Sequence, residues 1–326
     1  MMAHVRKKKW TIVSWNVNSI RARIVDSETG KSKNKNRIIN NNSALNKLIQ
    51  KTNFDIICFQ ETKCTEETKN TINTAGYYAY WNCCSMKKGY SGVSIWSKRK
   101  PVRVTNDVPN IKERSKHLLN EGRILTAYFP NFILVNTYTP NTIRAGDSKN
   151  YSRPEIMMYR MDWDNAIHDY LKELKKTKPI IWCGDMNVAR QSIDNFRCKK
   201  ITDLYNETPT LKLKKQMLLG EKYTKLGGGA GYRLEERFAI NKILDLGLVD
   251  IYRKKHPNNY GFTYWDMTRP IYRSDDYGMR IDYFITSKTI LKKCLHIKIH
   301  KDITYDNGTI ISDHAPVELS FKTKHA

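Results

Sequence analysis

Short apolar runs that end in polar, loop-forming residues recur along this chain, and residues 179–189 (PIIWCGDMNVA) set the pattern. Ile180, Ile181, Trp182 and Cys183 have the length and β-branched content of a buried strand. Gly184 breaks the run, and Asp185 and Asn187 follow. Side chains two apart on an extended chain face the same way, so these two can offer a carboxylate and a carboxamide to one space. For an isolated Gly-Asp-x-Asn, an Asx-type turn closing the strand is the plainer reading. The rest of the chain has to tip the balance.

The same pattern predicts strands at 10–15 (WTIVSW) and at 56–59 (IICF), and over 89–96 (GYSGVSIW) a glycine turn leading into a third strand. Two more flank a turn at Pro130-Asn131, over 123–129 and 132–139. Later strands are expected at 280–286 with Asp282 inside, at 296–300, and at 317–321. Helical periods occupy 44–49, 152–174 and 233–246. Ser152 and Glu155 make a capping-box pattern with Pro154 in the first turn, and Gly247 stops the last helix. Residues 26–42 and 191–230 follow neither period and read as insertions in a single mixed α/β domain.

Charge narrows the choice of partner. Across 326 residues, 57 Lys and Arg face 32 Asp and Glu, a formal charge of +25. Self-repulsion at that charge points to a polyanion, nucleic acid foremost; a solvated lysine surface from Asn/Lys/Ile coding bias competes. Seven scattered cysteines make neither a disulfide framework nor a zinc spacing. An intracellular compartment is therefore expected, nucleus or cytoplasm. No apolar run nears the roughly 20 residues of a membrane span, and Arg6 to Lys9 leads straight into a strand. The coding bias suits an A+T-rich genome, so a large DNA virus, a protist and a bacterium all stay open as the source.

Strand after strand ends in a group able to bind a hard cation or a phosphate: Asn16, Glu61, Tyr138, the pair Asp185 and Asn187, and Asp313-His314. Singly each is ordinary loop chemistry, but sites in layered α/β proteins assemble where strand ends converge. The segments SWNVNSIRAR, DIICFQETK, GYSGVSIWS, NTYTPN, CGDMNVA, GMRIDYF and SDHAPV run in order from about residue 10 to 321. Together they resemble the motif set of the exonuclease III-type apurinic/apyrimidinic (AP) endonucleases. Those enzymes lie in the endonuclease/exonuclease/phosphatase superfamily, with DNase I.

The resemblance implies a DNase I-like four-layer α/β sandwich, two packed β-sheets flanked by helices. It implies a class II AP endonuclease that cleaves the DNA phosphodiester bond 5′ to abasic sites in base excision repair, with room for 3′–5′ exonuclease or 3′-end trimming. Carried over by position, Glu61 is the principal ligand for Mg²⁺ (Mn²⁺ as substitute), with Asn16 and Asp313 beside it. Asp282 orients and polarises His314, and Asp185 positions or deprotonates the attacking water. Asn187 contacts the phosphate, and Tyr138 contacts it or stabilises the leaving group, as a phenol or a phenolate. Asn18, Asp in animal-type enzymes, and Asn141 lie on the substrate side. Tyr264 and Trp265 match positions of the abasic-sugar pocket, with core packing as the competing role, and Met279 stands where animal-type enzymes carry Trp.

The implied partner is double-stranded DNA containing abasic sites, bound by a monomer without membrane attachment. Lys199, Lys200, Lys212, Lys214 and Lys215 are candidates for added phosphate contacts, a solvated loop being the default. Two rivals are a less selective DNase or retroelement-type endonuclease, and a basic nucleic-acid-binding protein with a degenerate nuclease core.

Overall fold

The computed structural model describes residues 8–20, 49, 53–70, 72, 74, 76–142, 153–196, 230–268, 271–302 and 312–323. The insertion predicted at 26–42, residues 197–229 of the second with its five lysines, the helical period before Ile49, and Ser152 lie outside these residues.

β-Branched and aromatic alternation builds two six-stranded sheets among the described residues. The first contains β1 (Lys8–Asn16), β2 (Ile56–Gln60), β3 (Tyr78–Asn82), β4 (Val93–Ser97), β11 (Cys294–Ile299) and β12 (Val317–Thr323), in the order β11-β12-β1-β2-β4-β3. The second contains β5 (Arg103–Thr105), β6 (Ile124–Tyr128), β7 (Ile133–Tyr138), β8 (Ile180–Asp185), β9 (Leu248–Asp250) and β10 (Asp282–Ser287), in the order β5-β6-β7-β8-β10-β9.

Alternate side chains of each sheet form the core between them: Ile12, Cys58, Ile95 and Leu319 from one side meet Leu125, Leu134, Cys183 and Phe284 from the other. Helices α1 (Arg153–Thr177) and α2 (Leu234–Leu244) cover the outer face of the second sheet, packing Trp163, Ile167, Leu171 and Ile240 on Val135, Ile180 and Trp182. The outer face of the first sheet buries Trp15, Phe59 and Trp96 beneath Ile49, Phe54 and Ile72. This is the layered sandwich that the motif set implied. A buried amide pair staples the sheets together. Gln60 Nε2 donates to Asn136 Oδ1 at 2.7 Å, and Asn136 Nδ2 donates to Phe59 O and Ser94 O.

Several boundaries differ from the sequence pattern, for identifiable reasons. Gly184 does not end its strand. Its φ is +132°, and a Cβ there would stand 2.0 Å from Thr137 O, so the absent side chain lets β8 lie against β7 and carry on to Asp185. The turn at 89–92 leads into its strand at Val93 as expected, and β3, which the sequence did not mark, pairs beside it as a half-exposed sheet edge with no continuous apolar run. The three-residue strands β5 and β9 are too short to show a period.

Register gathers the polar strand ends. Parallel pairing of β7 with β8 puts Tyr138 beside Asp185, and antiparallel pairing of β8 with β10 puts Asp185 beside Asp282. In the first sheet Asn16 pairs with Gln60, next to Glu61. β12 runs antiparallel to β1 and begins with Val317 opposite Ser14, so His314 precedes it at the same edge. No described helix is long and apolar enough to cross a membrane.

Candidate active site

At this shared edge a cavity of about 170 Å³ is lined by Glu61, Asn141, Asp185, Asn187, Ala230, Gly231, Tyr264, Met279, Ile281, Asp313 and His314. Eight of the thirteen residues singled out from the sequence reach its wall. Asn16 and Asp282 stand directly behind it, Asn18 and Tyr138 beside it, and Trp265 elsewhere.

His314 is held by contacts that its own loop makes. Ser312 Oγ donates to Asn16 O at 2.8 Å and accepts from His314 N at 3.2 Å, while Trp15 Nε1 donates to His314 O. The ring is buried and its Nδ1 lies 2.8 Å from Asp282 Oδ2. Nε2 faces Asp185 Oδ2 at 3.8 Å. Burial opposes charge on this ring, but Asp282 outweighs it by field and hydrogen bond, helped by Asp185 and Asp313. The result is a pKa raised to about 10. His314 is therefore an imidazolium at neutral pH.

Asp185 accepts from Asn16 Nδ2 at 2.9 Å and from Asn187 N at 2.8 Å. Burial, reinforced by Asp282, pushes its carboxyl up to about 7 against the pull of His314. The Asn187 contact is the Asx-type turn that the plainer sequence reading anticipated. Asn187 takes φ +48° and donates its Nδ2 to Thr139 O. The turn and the cavity wall are thus the same feature, since the turn is what aims the carboxamide.

Glu61 has φ +47° and Lys63 φ +49°, a strained pair of left-handed residues at the end of β2. Lys63 Nζ lies 3.0 Å from Glu61 Oε2 and donates to Asn18 Oδ1; Asn18 Nδ2 in turn donates to Asp313 Oδ1 at 3.2 Å. Burial works against the charge on Glu61, yet Lys63 and the Asn16 amide hold its pKa below the ordinary value. Hard oxygen donors on Glu61, Asp313 and Asn16 suit a divalent cation of the Mg²⁺ type. Asp185, Asp282 and His314 also cluster closely enough to hold a metal. There, however, one ring nitrogen is already bonded to Asp282 and the cationic ring stands between the two carboxyl groups, which disfavours a metal at that trio.

Tyr138 is buried with the Arg123 guanidinium 4.8 Å over its ring. Burial and the charges of Glu61 and Asp185 raise its pKa well above that of a free phenol despite Arg123. Between the two forms left open by the motif, the phenol is the one this environment favours.

The recess beside the charged groups is apolar: Tyr264, with its ring 5.0 Å from that of His314, Met279 and Ile281. Trp265 packs away from the cavity with Phe262 and Ala315, under the Arg273 guanidinium at 4.3 Å. Ile281 went unnoticed in the sequence, although strand alternation in GMRIDYF sets Met279 and Ile281 on one side and Arg280 and Asp282 on the other. Arg280, fully buried, anchors this wall with paired bonds to Asp194 (2.8 and 3.1 Å) and Asp250 (3.1 and 2.7 Å). Arg160, on α1, donates to Pro140 O, Met186 O and Asn187 O and so fixes both loops behind the carboxamide. No sequence signal marked it.

Comparison with known proteins agrees with this geometry. A profile of the Endonuclease/Exonuclease/phosphatase family matches residues 13–314. An exodeoxyribonuclease of Bacillus subtilis (strain 168) is 32% identical over 308 residues, 94% of this chain and 98% of that protein. The DNA repair nuclease APEX1 of Danio rerio is 32% identical over 318 residues, 96% of this chain and 83% of the relative. The crystal structure of the AP endonuclease LMAP from Leishmania major aligns with a TM-score of 0.70 at 22% identity, covering 98% of this chain and 89% of that one.

Proposed function

The chain belongs to the endonuclease/exonuclease/phosphatase family, and we propose that it is a class II AP endonuclease with 3′–5′ exonuclease activity, acting in base excision repair. It hydrolyses the phosphodiester 5′ to an abasic site in double-stranded DNA, leaving a 3′-hydroxyl and a 5′-deoxyribose phosphate. The observation that carries this reading is the Asp282–His314–Asp185 line opening into the same cavity as Glu61, beside a recess walled by Tyr264, Met279 and Ile281.

Each group then has a task set by its surroundings. Asp185, with a carboxyl poised near neutrality, orients the attacking water and takes its proton. His314, kept cationic by Asp282, stabilises the negative charge that builds on a phosphate oxygen. Asn187 holds the phosphate, and the Tyr138 phenol sits near the leaving 3′-oxygen as a proton donor. Asn141 contacts the substrate at the cavity rim. As water oxygen bonds to phosphorus, the bond to the 3′-oxygen breaks in line. Glu61, Asp313 and Asn16 would hold a divalent cation, Mg²⁺ in this proposal, which when bound would supply Lewis-acid stabilisation of charge on the departing oxygen.

The apolar recess suits a sugar without its base, because such a nucleotide is cheaper to extrude from the duplex than a paired one. Incision of matched duplexes with and without one abasic-site analogue, with and without Mg²⁺, tests the proposal. Metal-dependent cleavage confined to the abasic duplex is expected. Equal nicking of both duplexes would favour an unselective DNase, and binding without cleavage a degenerate core.

A further inference from the structure

The chain enters β6 through a turn that brings one buried cation against Tyr138. Gly122 takes φ +67°, and a Cβ there would stand 2.4 Å from Asn82 O, so the turn is made hard against the end of β3. β6 and β7 pair antiparallel with Ile124 opposite Thr137, which sets Arg123 across from Tyr138. The two residues then bond to each other twice. Tyr138 N donates to Arg123 O at 2.8 Å, and Arg123 Nη1 donates to Tyr138 O at 3.1 Å.

Arg123 is only 3% exposed, so its donors need partners inside the protein. Nε pairs with Glu121 Oε2 at 2.5 Å, and Nη2 donates to the Tyr90 hydroxyl at 2.9 Å. Glu121 lies just before β6, and Tyr90 lies between β3 and β4. Held from both sides, the guanidinium stands 4.8 Å over the Tyr138 ring. Among the described residues no group bonds to the Tyr138 hydroxyl. The ring is therefore held by core packing, by its face and by its backbone, and its oxygen is left to the substrate.

We propose that Arg123 is a positioning residue for the hydrolysis, locking the Tyr138 ring so that its phenol meets the leaving 3′-oxygen. The inference rests on the assignment of Tyr138 as proton donor to that oxygen. Arg123 is absent from the cavity wall, so its influence on the reaction passes through Tyr138. As the bond from phosphorus to the 3′-oxygen breaks, the phenol proton moves to that oxygen. A ring free to tilt would present the proton from a longer and varying distance, which slows a step that depends on alignment.

Single-turnover incision by Arg123→Met, Tyr138→Phe and the double variant tests the coupling. Arg123→Met is expected to slow incision by about 10–100-fold, with the half-saturating DNA concentration nearly unchanged. In the Tyr138→Phe background the same substitution should change the rate by less than about twofold. Arg123→Lys keeps the charge without the planar fork and should recover little of the loss. Equal losses in both backgrounds would make Arg123 a purely structural residue, and full activity in Arg123→Lys would make charge the requirement; either overturns the proposal.

Where Arg123→Met fails to fold, Tyr90→Phe and Glu121→Gln each release one restraint on the guanidinium. Each should slow incision only when Tyr138 is present, and unchanged rates in both overturn the proposal. If the wild type nicks matched and abasic duplexes alike, the substrate reading fails. The same set of variants is then measured on that nicking and still decides the role of Arg123.

Discussion

His314 Nδ1 lies 2.8 Å from Asp282 Oδ2, a buried contact that joins the loop before β12 in one sheet to the first residue of β10 in the other. It fixes the ring's tautomer and its charge together, leaving Nε2 to face Asp185. Replacing Asp282 by Asn removes the charge while keeping the shape. Single-turnover incision should then fall by about 10²–10³-fold with DNA affinity retained, and His314→Ala should do the same. Near-normal cleavage in either variant would refute the proposed role of the imidazolium.

The two perturbed groups set a pH profile. Asp185 becomes a base as pH rises through about 7, and His314 loses its proton near 10. Activity should climb through the first value and decline toward the second, and Asp282→Asn should move the upper limb to lower pH. Stability follows the opposite course, because both folded-state pKa values are raised. The share from Asp185 is complete below its ordinary 3.8 and fades as pH rises to about 7; that from His314 is complete below 6.5 and fades toward 10. Urea midpoints measured across this range should therefore decrease as pH rises.

Met279 leaves the recess with a flexible wall where a larger ring is conceivable. Met279→Trp should narrow it and raise the ratio of abasic-site incision to 3′-end removal. Parallel assays of both activities on one enzyme preparation give this ratio, and an unchanged value would show that Met279 does not set it.

Glu61→Gln keeps the size of the side chain but removes the carboxylate charge that Lys63 now balances. The Mg²⁺ concentration for half-maximal incision should rise by more than about tenfold, and a chelator should abolish wild-type activity. Metal titrations that superimpose for the two proteins would move the metal away from Glu61.

Arg280 carries structural weight. Arg280→Met removes the guanidinium shared by Asp194 and Asp250 in the protein interior, where loss of one partner from a buried pair costs about 3–5 kcal/mol. Denaturant unfolding measures this. A loss below about 1 kcal/mol would mean that Arg253, also bonded to Asp194, carries the network alone.

How much of this was legible before folding depends on the range of each interaction. Strands 10–15, 56–59 and 132–139 were readable because apolar alternation is local, and their polar ends stood out against it. Ile281 was readable in the same way, one alternation step from Asp282. Trp265 was not: an aromatic beside Tyr264 has the same composition whether it lines a recess or packs on Phe262 and Ala315. Arg160 gave no signal because the backbone carbonyls it holds, Pro140 O and Met186 O, are 20 and 26 residues away in sequence.

By itself, the sequence determined a run of strands with oxygen and nitrogen donors at their ends, together with the motif order that assigns the family. Both are properties of neighbouring residues. Tertiary structure alone decided that Tyr138, Asp185 and Asp282 form one row, and that His314 meets that row from the opposite sheet. It also decided the charge state of each group. Register depends on pairing between distant strands, and a pKa depends on how completely water has been removed from around a charge; neither quantity exists until the chain has packed.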